Sequence, residues 1–156
     1  MTNRFILTLL AILFLFVLRV EANNNATVNE TGIHPPTTKT SNKMKITIGA
    51  AVFTATLNNN ATVTAFKVML PLTLNMSELN GNEKFFHLQT TLPTNASVGG
   101  SIHTGDLMLF GNNSLVLFYE SFNTSYSYTR LGRIDNTSGL VAALGSEAVT
   151  VKFEKQ

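Results

Sequence analysis

Cysteine and tryptophan are absent from all 156 residues, and no arginine occurs between Arg19 and Arg130. Without cysteine there is no disulfide, no cysteine-attached lipid anchor and no thiolate metal site. Charge is also sparse: Asp, Glu, Lys and Arg make up 13% of the chain, with a formal net charge of +2. No dense basic stripe is present to track phosphates, which argues against a nucleic-acid partner. No phosphate-binding glycine loop or dinucleotide fingerprint occurs, so no cofactor is expected. His87 and His103 are the only histidines of the folded region, with no close His/carboxylate spacing, so no metal is expected either.

One long apolar run exists, "FILTLLAILFLFVL", Phe5 to Leu18. It follows the basic patch at Asn3-Arg4 and precedes Val20-Glu21-Ala22, a small-residue cleavage pattern. This is the layout of a secretory signal peptide over residues 1–22, and the run is shorter than the ~20 residues of a spanning helix. The expectation is a secreted protein with no stable membrane span after cleavage. Residues 23–42 hold Pro35-Pro36, lack large apolar periodicity, and read as a flexible linker that also contains His34. Asn-X-Ser/Thr sites are frequent, at Asn25, Asn29, Asn60, Asn75, Asn95, Asn112, Asn123 and Asn136. Behind a leader they read as N-glycosylation candidates on exposed loops and edges.

From residue 43 the pattern changes to short alternating segments. Met44, Ile46 and Ile48 share one strand face, and "VFTATL" returns after a turn at Gly49-Ala50. "ATVTAFKVML" is a helix, capped by an Asn or Thr and stopped by Pro71, with Phe66 and Leu70 as its core residues. "PLTLNM" and "KFFHL" are strands on either side of an Asn80-Gly81 turn. "PTNASVGG" is read as a loop, and "SIHTGD" and "LMLF" as extended pieces about a Thr104-Gly105-Asp106 turn. "SLVLFYESF" is the most hydrophobic strand; "GLVAALG" is a short helix ending at Gly145. "AVTVKFE" closes the chain, with Val149, Val151 and Phe153 on one face. The expected fold is mainly β: a small closed antiparallel β-barrel of about eight strands with two short helices, over residues 43–156.

The stretch "TSYSYTRLGRID" concentrates chemistry. It holds two of the three tyrosines and both arginines of the folded region. On an extended strand Tyr126, Tyr128 and Arg130 share a face, whereas Leu131 and Ile134 have opposite parity, which predicts a bulge near Gly132. With Phe118, Phe85 and Phe86 adding apolar surface, this face is a candidate pocket for a peptide or small molecule. The plainer account pairs Arg130 with a carboxylate or stacks it on a tyrosine, and packs the tyrosines as core. Ser101, His103 and Asp106 lie close in sequence but lack the glycine-flanked nucleophile of an elbow, so no catalytic residue is assigned. Tyr126, Tyr128, Arg130, Phe118 and His103 are the candidate ligand-binding residues.

The segments "LPLTLNMSELNGNEKFFHL", "GDLMLFG", "LVLFYESFNTSYSYTRLGRID" and "GLVAALGS" with "VTVKFE" together resemble the bacterial-type cyclophilin-like domain family. The resemblance covers residues 44–154. It implies a closed β-barrel with helices over its ends, related in fold to the cyclophilin prolyl isomerases. It does not imply their activity. The catalytic cyclophilins carry an arginine, an aromatic, a Gln-Gly-Gly-Asp-like segment, a tryptophan and a histidine around the proline pocket. Gly105-Asp106 is similar to the end of that segment, but its arginine, glutamine and tryptophan have no counterpart here. The function expected is non-enzymatic binding of a peptide or small ligand; the alternative is a divergent peptidyl-prolyl cis-trans isomerase.

Overall fold

The computed structural model describes residues 41–156. The leader, the linker as far as residue 40, and the sites at Asn25 and Asn29 lie outside the described residues. Nine strands and two helices follow in the order β1 (Lys43–Ile48), β2 (Ala51–Leu57), α1 (Ala61–Met69), β3 (Leu72–Leu79), β4 (Glu83–His87), β5 (Ser97–Ile102), β6 (Asp106–Phe110), β7 (Ser114–Phe118), β8 (Phe122–Ile134), α2 (Leu140–Leu144) and β9 (Val149–Lys155).

Every strand pairing is antiparallel. The sheet order is β2-β1-β9-β3-β4-β7-β6-β8-β5, and an additional β2–β8 pairing joins the sheet back on itself. Eight strands thus form a ring, and β5 hangs outside it, hydrogen-bonded to the first half of β8. About eight strands are expected from the sequence, and the sheet has nine, eight of them in the ring. Ser97–Gly100 belongs to β5 and not to a loop, because its backbone pairs with Thr124–Tyr128. Its glycines and serine carry little strand propensity; the partner strand supplies the order.

The turns follow the local chemistry. Gly49 takes φ 57 in the β1–β2 hairpin, and Asn80 and Gly81 take φ 58 and 70 between β3 and β4. These are the left-handed conformations that Gly and Asn tolerate in tight turns. Asn60 caps α1 by accepting from the Val63 amide at 2.8 Å. The helix stops before Pro71, which follows a cis peptide bond.

Inside the ring lies the main core, with Met44, Ile46, Leu74, Leu107, Leu117 and Phe153 among its buried residues. Both helices contribute to it, α1 through Val63 and Phe66 and α2 through Leu140 and Leu144. Phe66 meets Phe153 edge-on at 6.2 Å. A second cluster lies on the opposite face of the same sheet: Ile102, Met108, Val116, Phe118 and Tyr128, with Phe85 and Phe122 packed against it. Neighbours along one strand, such as Leu107 and Met108 or Leu117 and Phe118, therefore point into different cores. This explains why "LMLF" and "SLVLF" are continuously apolar instead of alternating.

β8 has to pair with β5, β6 and β2 along its length. Its register against β6 shifts between Leu107↔Gly132 and Met108↔Arg130, so Leu131 is the extra residue of a bulge. The sequence parity expects a bulge near Gly132, and the register places one there. After it, Gly132 meets β2 at Leu57, where an added Cβ would lie 2.4 Å from the Thr56 carbonyl oxygen and 2.9 Å from the Leu57 Cα. Both obstacles are backbone and cannot swing aside. Gly132→Ala is therefore expected to destabilise the domain by about 1–3 kcal/mol. Urea unfolding of the variant would show this as a lower midpoint, and an unchanged midpoint would contradict the close β2–β8 approach.

Candidate functional site

The bulge decides what the "TSYSYTRLGRID" arginines do. Without it, residues 130 and 133 would point to opposite faces. With Leu131 inserted, both reach Asp106, a carboxylate buried to 2% exposure at the start of β6. Arg130 approaches one carboxylate oxygen at 3.5 Å and Arg133 Nε donates to the other. The His103 amide also donates to Asp106, at 2.9 Å. Arg130 donates further to the Gly99 carbonyl at 2.7 Å and the Ser101 carbonyl at 3.4 Å. Its guanidinium thus ties β8 to β5 and β6, a task suited to a planar fork of donors.

Beside this knot the second cluster opens into a groove of about 740 Å³. The β4 residues Glu83, Phe85 and His87 line one side, placed there by strand alternation. Residues of β8, including Tyr126 and Tyr128, line another, and Phe110 joins them at the end of β6. The rings form a connected series: Tyr126 to Phe110 at 6.1 Å, Phe110 to Tyr128 at 5.5 Å, Tyr128 to Phe118 at 5.5 Å and Phe118 to Phe122 at 5.6 Å. Most of these contacts are edge-on, the arrangement that aromatic quadrupoles favour. Tyr126 and Phe110 are nonetheless 65% and 45% exposed, a large apolar surface left open to solvent.

Of the five candidate ligand-binding residues, the structure brings Tyr126 and Tyr128 into the groove. Phe118 is fully buried beneath Tyr128 and Phe122 and supports the wall without lining it. Arg130 does not line the groove; its guanidinium is engaged by Asp106 and the β5 carbonyls. His103 also lies elsewhere, with Nδ1 3.1 Å from Arg133. Phe85 lines the groove, whereas Phe86 packs against the main core.

Polar side chains share the lining with the rings, Asn80, Glu83, His87, Ser114 and Asn123 among them. Glu83 is 8% exposed, and no ion pair or side-chain hydrogen bond engages its carboxyl among the described residues. Burial pushes its pKa up to about 7, with the negative charge of Glu78 adding to the effect. The Tyr128 hydroxyl is likewise raised, first by burial and then by Glu83 and Tyr126. Asn82 Oδ1 is buried without a hydrogen-bond partner. A largely buried carboxyl that no side chain pairs among the described residues, at the edge of an aromatic groove, has the character of a binding site rather than of a finished core.

Glu83 was not among the sequence candidates. The strand was read as "KFFHL", starting one residue too late. Extending the alternation back from Phe85 puts Glu83 on the same face, a signal that was available. Lys84 next to it was also missed. It points the other way and is fully buried, donating to Glu78 and to the carbonyls of Gly145 and Glu147 at 2.9 and 2.7 Å. Tyr119 donates to Glu78 at 2.8 Å. Burial raises the Glu78 pKa, but the bonds from Lys84 and Tyr119 outweigh it and hold the carboxyl below its ordinary value.

The other sequence clusters separate in space. Ser101 Oγ donates to Asn123 Oδ1 at 3.0 Å and makes no Ser–His relay. His87 and His103 lie on elements that do not pair, and no group of three His, Asp or Glu residues with metal-binding geometry occurs among the described residues. Among the six described sequons, Asn75, Asn95, Asn112, Asn123 and Asn136 are exposed. Asn60 is half-buried, and its Nδ2 donates to the Arg130 carbonyl at 2.9 Å.

Comparison with known proteins agrees with the strand pattern. A family model described as the cyclophilin-like family matches residues 46–154, and the chain belongs to that family. Neither the curated proteins nor the solved structures contain a match.

The raised Glu83 pKa has a stability consequence with a definite sign. Below the ordinary carboxyl value of 4.5 the group is neutral in both folded and unfolded chains. Between there and about 7 the unfolded chain ionises more readily, so stability falls as pH rises and levels off above 7. Glu83→Gln removes this cost. The variant is expected to match the wild type at pH 4 and to exceed it by roughly 1–3 kcal/mol at pH 8. Paired thermal melts at the two pH values measure the difference; an equal gain at both would contradict a buried, partnerless carboxyl.

Proposed function

We propose that this member of the cyclophilin-like family is a secreted, non-enzymatic binding module whose outer groove takes a small molecule or a peptide segment. One observation carries the reading: a groove of about 740 Å³ with an aromatic wall and the Glu83 carboxyl, unpaired among the described residues, outside the main core. Its volume falls within the ~300–1,000 Å³ of ligand pockets, and its aromatic wall beside polar side chains offers a ligand both apolar surface and hydrogen-bonding partners.

The isomerase alternative draws no support from the arginine. A donor for a twisted amide has to be free to meet it, and the Arg130 guanidinium is committed to Asp106, Gly99 and Ser101. The family's fold does not supply the activity by itself. Secretion rests on the leader at residues 1–22, and glycosylation on the density of sequons. Exposure of five of the six described sequons accords with modification there, and Asn123 lies at the groove itself, where a glycan would narrow the mouth.

Two measurements test the reading. Tyr126→Ala removes an exposed ring, so stability is expected to change by less than about 0.5 kcal/mol while groove ligands found by a melting-shift screen lose roughly tenfold or more in affinity. Unchanged affinity would remove the groove as their site, and proline-peptide turnover by the wild type in a protease-coupled assay would replace binding with catalysis. For the modification, mass spectrometry after expression in a eukaryotic secretory host and enzymatic deglycosylation is expected to find Asn75, Asn95, Asn112, Asn123 and Asn136 converted to Asp, with Asn60 spared. Full occupancy of Asn60 or none at the exposed sites would contradict the exposure argument.

A further inference from the structure

We propose that the groove takes an organic cation: a small primary amine with a flat apolar body, its ammonium paired with the Glu83 carboxylate and its body against Tyr126, Phe110 and Tyr128. The inference rests on reading the groove as a ligand site and adds the charge of the ligand.

The lining contains no lysine or arginine. Glu83 is its one carboxyl, and the Tyr128 hydroxyl oxygen is a further acceptor. A phosphate or carboxylate ligand would meet the Glu83 carboxyl with no lysine or arginine in the lining to offset it. An ammonium, with three donors and no acceptor, meets partners it can use.

The protein's own cations are already placed. Lys84 is adjacent in sequence but points to the opposite face, where Glu78 and two carbonyls take all three of its protons. Arg130 and Arg133 share Asp106. Glu83 therefore has no counter-ion from the described residues, although it is more than nine-tenths buried. Removal of either member of a buried ion pair normally leaves an expensive charge, which an incoming cation would neutralise. The aromatic wall suits the same ligand, because exposed rings pack against its flat apolar body.

Without a cation, a proton serves as the neutralising partner, in keeping with the raised pKa of Glu83. Binding then exchanges that proton: the carboxylic acid loses it to solvent as the carboxylate takes up the ammonium. The groups around Glu83 are Glu78 from β3, Tyr128 and Tyr126 from β8, His87 four residues along β4, and Glu120, whose amide bonds the Asn82 carbonyl. His87 lines the same groove, so the Glu83 share has to be isolated by substitution.

Three probes of one shape separate the outcomes: phenethylamine, 2-phenylethanol and 3-phenylpropionate, titrated into ¹⁵N-labelled protein at pH 8 and pH 5 while groove amides are followed by NMR. The amine is expected to bind at least about tenfold more tightly than the alcohol at pH 8, and the carboxylate not to bind. Its affinity should fall roughly tenfold or more at pH 5, because protonated Glu83 must first give up its proton. Glu83→Gln should abolish the amine's advantage over the alcohol and most of its pH dependence. Equal binding of alcohol and amine in the groove, or amine affinity unaltered in Glu83→Gln, overturns the cation inference while the groove remains a ligand site. Absence of groove shifts with all three probes overturns both.

Discussion

One strand has to satisfy three partners, and much of the molecule is arranged around that requirement. β8 runs from Phe122 to Ile134 and pairs in turn with β5, β6 and β2. A regular strand keeps each side chain on its own face for its whole length. The extra residue at Leu131 breaks that rule against β6, turning Leu131 into the main core while Arg130 and Arg133 both reach Asp106, and a second register shift occurs against β5 between Thr124 and Ser127. Gly132 then lets the backbone approach β2 more closely than any side chain would allow. The close β2–β8 approach and the arginine knot both lie at the Leu131 irregularity.

The second consequence is a sheet with two covered faces. β6 and β7 divide their residues between the main core and the smaller cluster beneath β5 and the first half of β8. The smaller cluster is incomplete, and the groove is the part left unfilled. β4 shows what the difference between the faces means. Lys84, turned inward, has every proton bonded and serves to fasten β4 to the segment before β9. Glu83, its neighbour, turned outward, has none of its needs met within the described residues. A satisfied buried charge fixes structure, while an unsatisfied one leaves free energy available for a ligand.

Much of the fold was legible because it rests on local chemistry. Alternation at Met44, Ile46 and Ile48, the Asn80-Gly81 turn, the Asn-capped helix before Pro71 and the short helix ending at Gly145 all appear where the sequence placed them. The first four residues of β5 read as a loop because Ser97–Gly100 has weak strand character and is ordered by its partner. The site was legible only in part. Tyr126 and Tyr128 carried a recognisable aromatic alternation and do line the groove. Arg130 shares their parity yet serves a carboxylate, since strand alternation gives a face and not a partner.

The sequence alone determined the mainly β character, the paired strands and their turns, the cyclophilin-like family and the bulge that parity demanded near Gly132. These depend on residues close together along the chain, where propensity and periodicity act directly. Only the tertiary structure decided that Arg130 binds Asp106, that Lys84 is satisfied within the ring, and that Glu83 faces an aromatic groove without a partner. Each of those outcomes depends on which distant strand lies alongside, and therefore on desolvation and geometry that no local pattern encodes.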